Sequence, residues 1–263
     1  VIHHLIDIRD PFDTYNAADF VRDCYQKIQE IKSRGKLPLI VGGTMLYAKA
    51  IKEGLNEMPS TDLTIRAQIE EQAAQLGWPG MHELLAQVDP ITAARLNPND
   101  SQRISRALEV YRQTGQALSV YQARQTKQCP YRFLTLGLVP ADRALLHKRI
   151  EQRFQLMIEA GFLDEVRSLM RHPNFSREAP AMRAVGYRQA IDYLLGECDW
   201  DRFFLAGVAA TRQLAKRQLT WMRSMPDLLS IDPFTQDAYS VALKAINCLL
   251  YTSPSPRDIS GSR

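Results

Sequence analysis

Gly42-Gly43-Thr44 is the first place in this chain where residue type and spacing suggest chemistry. The turn follows an apolar run and opens a helical pattern. At such an edge of an α/β sheet, glycines let backbone amides approach an anion. An ordinary tight turn with Thr44 as helix cap fits the same residues. The chain holds no complete G-x-x-x-x-G-K-[ST] loop and no G-x-G-x-x-G fingerprint.

Arginines supply the other stations. In Arg183-Ala184-Val185-Gly186-Tyr187-Arg188, paired guanidiniums flank a glycine and a ring, the side chains that contact phosphates and stack on bases in RNA sites. A helix entry with a solvated basic pair is the plainer reading. Between Asp201 and Asp227 no acid occurs, while Arg202, Arg212, Lys216, Arg217 and Arg223 do. Arg212, Lys216 and Arg223 fall near one helical face, an electrostatic footprint for a polyanion or simply a solvated face. Trp221 in that stretch is expected in the core. Gln102-Arg103-Ile104-Ser105-Arg106 places polar side chains at i, i+3 and i+4, so they can share a surface; locally a soluble helix face explains them. Arg149 and Arg153, also i, i+4, could clamp a phosphate bidentately or pair with Glu151 or Glu159. His3, His4, His82, His147 and His172 form no metal or triad pattern and receive no role.

These stations need elements to hold them. Asn16 as N-cap with Asp19 at N3 predicts a helix carrying Phe20, Cys24, Ile28 and Ile31 on one face and stopped by Gly35. Leu37–Val41 reads as a buried parallel strand, and Met45–Ile51 as a helix closed by Gly54. Helices are expected over Thr61–Leu76, His82–Val88, Ile91–Leu96, Ser101–Thr114 and Ala117–Gln125, with no strand among them. A strand returns at Tyr131–Val139, followed by helices over Ala141–Ala160, Leu163–Arg171, Gly186–Leu195 and Trp200–Met222. An edge strand at Leu228–Ile231 and a helix over Gln236–Leu250 complete the pattern. The fold class is therefore α/β, with core segments 1–55 and 129–247 and an all-helical insertion at 56–128.

Composition bounds the function. The 263 residues carry 33 Lys+Arg against 29 Asp+Glu, a net charge of +4 too small to name a partner. At 45% hydrophobic and 24% charged, the chain resembles folded soluble proteins rather than disordered ones. No apolar stretch reaches membrane-spanning length, so no membrane partner is expected. Cys24, Cys129, Cys198 and Cys248 lie far apart, against a disulfide framework or zinc site and in favour of a reducing cytoplasm. Val1 opens inside an apolar run, which suggests a domain missing its beginning. Residues 248–263 turn rich in Ser, Pro and Gly and read as a disordered or non-native tail.

Taken together, the stations resemble the bacterial tRNA dimethylallyltransferases, also called tRNA isopentenyltransferases. The similarity lies in Leu5–Pro11, Tyr15–Phe20, Val41–Tyr47, Gln102–Val110, Arg183–Arg188 and Ala210–Gln218, and it spans about residues 1–247 in family order. The resemblance implies a P-loop NTPase-like parallel-sheet core whose helical insertion grips the tRNA anticodon stem-loop. It also implies transfer of a dimethylallyl group from dimethylallyl diphosphate to the exocyclic amine of the adenosine beside the anticodon, with the base flipped out of its stack. By the same resemblance, Thr44 sits beside the flipped adenosine, and Arg153 binds the diphosphate as charge builds on the leaving group. Arg66, Gln102 to Arg106, Arg183 to Arg188, and Lys216-Arg217-Gln218-Leu219-Thr220-Trp221-Met222-Arg223 contact tRNA. Mg²⁺ accompanies the diphosphate, with no ligand identifiable here, and a monomer is expected.

The family's phosphate loop, its first strand and the acid that takes the amine's proton precede the His3-His4-Leu5-Ile6-Asp7 segment. Lacking them, the chain as it stands is expected to be catalytically incompetent. A non-catalytic tRNA- or RNA-binding module is the alternative function. A DNA-reading helix-turn-helix in the insertion is a third, weakened because the basic stations lie mostly outside it.

Overall fold

Local capping sets most helix limits in this protein, whose computed structural model describes residues 1–55, 58–124 and 129–252. Helix α1 (Ala17–Ser33) starts in a capping box: the Asn16 side chain accepts from the Ala18 and Asp19 amides, and Asp19 reaches back to the Asn16 amide. It ends where Gly35 turns left-handed at φ +65°. Helix α2 (Met45–Glu53) stops before Gly54, φ +81°. The chain divides into two units, Val1–Ala48 with Tyr131–Arg263, and Lys49–Pro130. The expected insertion limits at 56 and 128, and the tail from 253 onward, lie outside the described residues; residues 248–252 belong to the last helix.

The second unit is helical: α3 (Leu63–Val88), α4 (Pro90–Ala93), α5 (Ser101–Thr114) and α6 (Leu118–Ala123). The two helices expected across 61–88 are both present within α3 and meet at a kink. Gly77 at φ +70°, ψ 165° breaks the first half, and Pro79 sits in the opening turn of the second. Ile69, Met81, Leu85, Ile104, Ala107 and Val110 form its core, each fully buried.

The first unit carries the sheet. Strand β1 (Thr135–Leu138) pairs in parallel with β2 (Leu228–Ile231), in register from Thr135 opposite Leu228 to Leu138 opposite Ile231. The crossover runs through α7 (Arg143–Glu159), α8 (Phe162–Met170), α9 (Tyr187–Leu194) and α10 (Trp200–Arg223), and α11 (Ala238–Thr252) follows β2. The protein is thus helix-rich with a small parallel sheet.

The buried strand expected at Leu37–Val41 is not formed. Leu37, Leu39, Ile40 and Val41 are exposed, Val41 to 83%. Among the described residues only β1 and β2 pair. Without a neighbour, an extended segment neither completes a hydrogen-bond ladder nor buries its apolar side chains. The expected strand at Tyr131–Val139 contracts to the four residues that face β2.

Phe154 of α7 centres this unit's core, tilted against Phe203 and Phe204 of α10 at 5.6 and 5.7 Å and edge-on to Phe162 at 6.3 Å. Gly207 of α10 lies directly against that ring and leaves no room for a Cβ. A Cβ on Gly186, at φ +95°, would meet Phe162 at 3.5 Å and Phe154 at 3.7 Å.

Candidate functional site

In the first unit, the Gly42–Thr44 turn is held at both ends. The Thr44 carbonyl accepts from the amides of Tyr47 (3.0 Å) and Ala48 (3.1 Å), opening α2, while the Thr44 side chain is exposed. Tyr47 stacks on Phe20 of α1 at 4.5 Å and donates its hydroxyl to the Tyr15 carbonyl. Burial, with the Asp23 carboxylate beside it, pushes the Tyr15 phenol up to about 12; burial and Asp19 raise Tyr47 too. Both phenols therefore stay protonated and act as fixed donors at neutral pH. From the other side, Gln218 of α10 donates its side-chain amide to the Gly43 carbonyl at 2.8 Å. The structure thus joins two stations 175 residues apart in sequence.

Helix α10 presents a basic face narrower than its sequence suggests. Lys216, Arg217 and Arg223 are exposed, and among the described residues none of them has an ion-pair partner. Arg212, expected on the same face, is half-buried and salt-bridged to Glu151 of α7 at 3.0 Å. Leu219 is buried, and Gln218 and Met222 are half-buried. Thr220 is exposed, its hydroxyl bonded back to the Lys216 carbonyl at 3.0 Å. Trp221, expected in the core, is 39% exposed instead. It lies about 200° around the helix from inward-facing Leu219, so the two cannot share a face.

The Arg183–Arg188 segment is a helix entry built around Gly186. That residue's amide donates to the Gln189 side chain at 2.8 Å. Arg183, Ala184 and Arg188 are exposed, and both arginines lack an ion-pair partner among the described residues; Val185 is half-buried and Gly186 buried. The Tyr187 ring is not a free stacking surface. It meets Phe162 edge-on at 5.1 Å and its hydroxyl donates to Glu165. Burial and that carboxylate raise its phenol to about 12. On α7, Arg153 is exposed, with neither Glu151 nor Glu159 as partner: Glu151 takes Arg212 and Glu159 accepts from Gln155. Arg149 lies over the Phe234 ring at 5.5 Å. Phe154, Gly186 and Gly207 together bring α7, the Arg183–Arg188 segment and α10 into one packed arrangement.

In the second unit, the expected contact surface is thinner. Gln102 and Arg103 are exposed, Arg103 beside Asp100 at 3.3 Å. Ile104 and Ser105 are buried at 0% and 6%, so neither side chain can reach a ligand from the folded unit. Arg106 donates to the Pro59 carbonyl at 2.6 Å and lies 3.1 Å from the buried Glu109 carboxylate. Glu109 in turn accepts the Asp62 amide at 2.9 Å. Arg106 therefore braces the start of α3 rather than facing outward. Arg66 is exposed, with Glu70 at 3.7 Å. Sequence reasoning missed Glu109, although a lone acid in the apolar run Ala107–Val110 is a signal that a partner must be supplied. It also missed the Gln218–Gly43 bond, which has no local signal.

A family model described as IPP transferase matches residues 1–225, spanning Thr44, Arg66, Gln102–Arg106, Arg153, Arg183–Arg188 and Lys216–Arg223. The tRNA dimethylallyltransferase of Paraburkholderia phymatum is 52% identical over 248 residues, 93% of this chain and 78% of that protein. That of Methylobacillus flagellatus is 49% identical over 250 residues, 94% of this chain and 79% of its own. Among solved structures, the full-length tRNA isopentenylpyrophosphate transferase of Bacillus halodurans aligns with a TM-score of 0.65 at 32% identity, covering 95% of this chain and 79% of that one. A eukaryotic dimethylallyltransferase acting on tRNA aligns with a TM-score of 0.76 at 26% identity, over 97% of this chain and 67% of its own.

Proposed function

The chain belongs to the IPP transferase family, and on that premise we propose that it modifies tRNA by transferring a dimethylallyl group from dimethylallyl diphosphate to the exocyclic amine of the adenosine beside the anticodon. Prenyl transfer to tRNA is the activity named in the relatives. The donor and the target amine are our finer reading. One observation carries that reading: the family match takes in Thr44, Arg153 and the α10 basic face, and the cations of these segments stand exposed without carboxylate partners among the described residues.

In the reaction, the amine nitrogen bonds to the prenyl carbon, the carbon–oxygen bond to diphosphate breaks with its electron pair leaving on oxygen, and the amine's proton passes to water. Arg153 is suited to the leaving group, because a guanidinium matches phosphate oxygens bidentately and stabilises charge as it develops. Thr44 borders the base from the start of α2. Arg183, Arg188, Lys216, Arg217 and Arg223 hold the RNA backbone, a contact that positions but does not select sequence. The helical unit, through Arg66, Gln102 and Arg103, suits an insertion that grips the anticodon stem-loop. The parallel pairing of β1 with β2 supports a P-loop-type core. Family resemblance implies Mg²⁺ with the diphosphate. Among the described residues no three His, Cys, Asp or Glu side chains converge into a cation site, so these residues form no cage for it and no step above passes through it. No described helix is long and apolar enough to cross a membrane.

The test is to incubate the protein with labelled dimethylallyl diphosphate and tRNA, then digest the tRNA and identify nucleosides by mass spectrometry. Label on the adenine amine, abolished by Arg153→Ala, supports the proposal and overturns the expectation that residues 1–263 by themselves are inactive. Tight tRNA binding with no label overturns catalysis for this chain and leaves an RNA-binding module in its place. Duplex DNA bound more tightly than tRNA overturns both.

A further inference from the structure

We propose that Gln218 is a positioning residue, whose side-chain amide fixes the Gly42–Thr44 turn to α10 and so sets where Thr44 stands. This rests on the reading above for what Thr44 faces; the anchor itself rests on geometry within one unit.

The segment before Thr44 has little else to hold it. Residues 37–41 form no strand, and their apolar side chains are exposed. Among the described residues, the bond from Gln218 to the Gly43 carbonyl is the only hydrogen bond made by residues 37–43. Gln218 is half-buried, one residue before Leu219, which is buried. Its backbone is thereby set by the core, while its side chain reaches the turn through a solvent-exposed bond. Exposed Lys216 and Arg217 immediately precede it, so the helix turn offered to RNA is also the one that holds the turn bearing Thr44.

The two glycines of the turn are not equivalent. A Cβ on Gly43 would stand 2.5 Å from the Gln218 amide nitrogen, whereas one on Gly42 would meet nothing within 4 Å. Close approach by Gln218 is therefore a specific reason for glycine at 43, and it predicts an asymmetry that a generic flexible turn would not show.

Hydrogen exchange over residues 44–48 reads the anchor directly, because the Tyr47 and Ala48 amides donate to the Thr44 carbonyl. Gln218→Met keeps side-chain length and neutrality but removes the donor. Loss of one such bond corresponds to about a three- to tenfold rise in exchange. Gly43→Ala is expected to raise it similarly, and the double variant to add little, since both break one contact. Gly42→Ala is expected to keep its protection. Unchanged exchange in Gln218→Met, or equal effects of Gly42→Ala and Gly43→Ala, overturns the anchor whether or not the protein acts on tRNA. In the transfer assay, Gln218→Met is expected to lower kcat about tenfold, with KM for tRNA within about threefold. A loss confined to KM would make Gln218 a direct RNA contact and overturn the positioning role. Absence of transfer and tRNA binding in the unsubstituted protein defeats the functional reading alone, because exchange still decides the anchor.

Discussion

Asp89 shows what a single side chain can control. It is 1% exposed and accepts from the Thr92 amide (3.0 Å), the Thr92 hydroxyl (2.6 Å) and the Ser119 amide (2.9 Å). One carboxylate thus caps α4 and also holds the first turn of α6. Burial by itself raises its pKa, but the hydrogen bonds from Thr92 and Ser119 outweigh burial and leave it below the usual value. A folded pKa below the unfolded one means the charge stabilises the fold above the ordinary Asp range, and that contribution is lost as pH falls through the lower folded value. Asp89→Ala is therefore expected to cost about 2–4 kcal/mol at neutral pH. Urea titrations should show the gap between variant and parent closing as the pH drops below about 4. A gap independent of pH would show that the charge contributes nothing. The sequence carried half of this: Asp89-Pro90 is an N-cap followed by proline at N1, which is local, but the bond to Ser119 spans 30 residues and has no local signature. The same division runs through the site. Arg183, Arg188, Lys216, Arg217 and Arg223 are readable as exposed cations from their acid-poor surroundings. The inward turn of Arg212 depends on Glu151, and that of Arg106 on Pro59 as well as on Glu109 one helical turn away; only the fold brings Pro59 and Glu151 near.

Helix limits follow from short-range information whereas a strand also needs a partner, and this protein displays both: Leu228–Ile231 forms as expected and Leu37–Val41 does not. α1, α5 and α10 begin at Asn16, Asp100 and Asp199, each side chain accepting an amide of its own first turn. Glycines at 35, 54, 115 and 161 turn left-handed just past helix ends. Such signals lie within a few residues and are visible in sequence. Leu37–Val41 has strand composition, yet a strand is a property of two segments, and none of the described ones lies alongside it. The α7–α10 contact likewise depends on partners distant in sequence, and it yields a prediction in which opposing effects compete. Alanine in place of a mid-helix glycine normally stabilises by about 1 kcal/mol. At Gly207 the new methyl would overlap the ring of Phe154, which is only 4% exposed and wedged among Phe162, Phe203 and Phe204. Overpacking of this kind costs about 1–3 kcal/mol, so Gly207→Ala is expected to lower Tm, and adding Phe154→Leu to relieve part of the loss. A rise in Tm would mean the helices are not held at this distance.

For the whole chain, charge matters by where it sits. A net +4 spread over 263 residues exerts little field of its own. Yet Arg153, Arg183, Arg188, Lys216, Arg217 and Arg223 all belong to the first unit, exposed and free of ion pairs among the described residues. Arg212, in the same stretch of α10, is already neutralised by Glu151 and has its Nε buried without a hydrogen-bond partner. If RNA displaces counterions from the free cations, each one that meets a phosphate contributes about 0.7–0.9 to the slope of log K against log salt. Alanine at Lys216, Arg217 or Arg223 is therefore expected to weaken tRNA binding and flatten that slope by about this amount each. Arg212→Ala should leave the slope nearly unchanged, and its effect should appear in stability instead, because it frees Glu151 and removes a packed side chain. Filter binding across a salt series separates the two cases. An equal flattening for Arg212→Ala and Lys216→Ala would show that the Arg212–Glu151 pair opens to meet the RNA, and that the basic face is as wide as the sequence alone suggests.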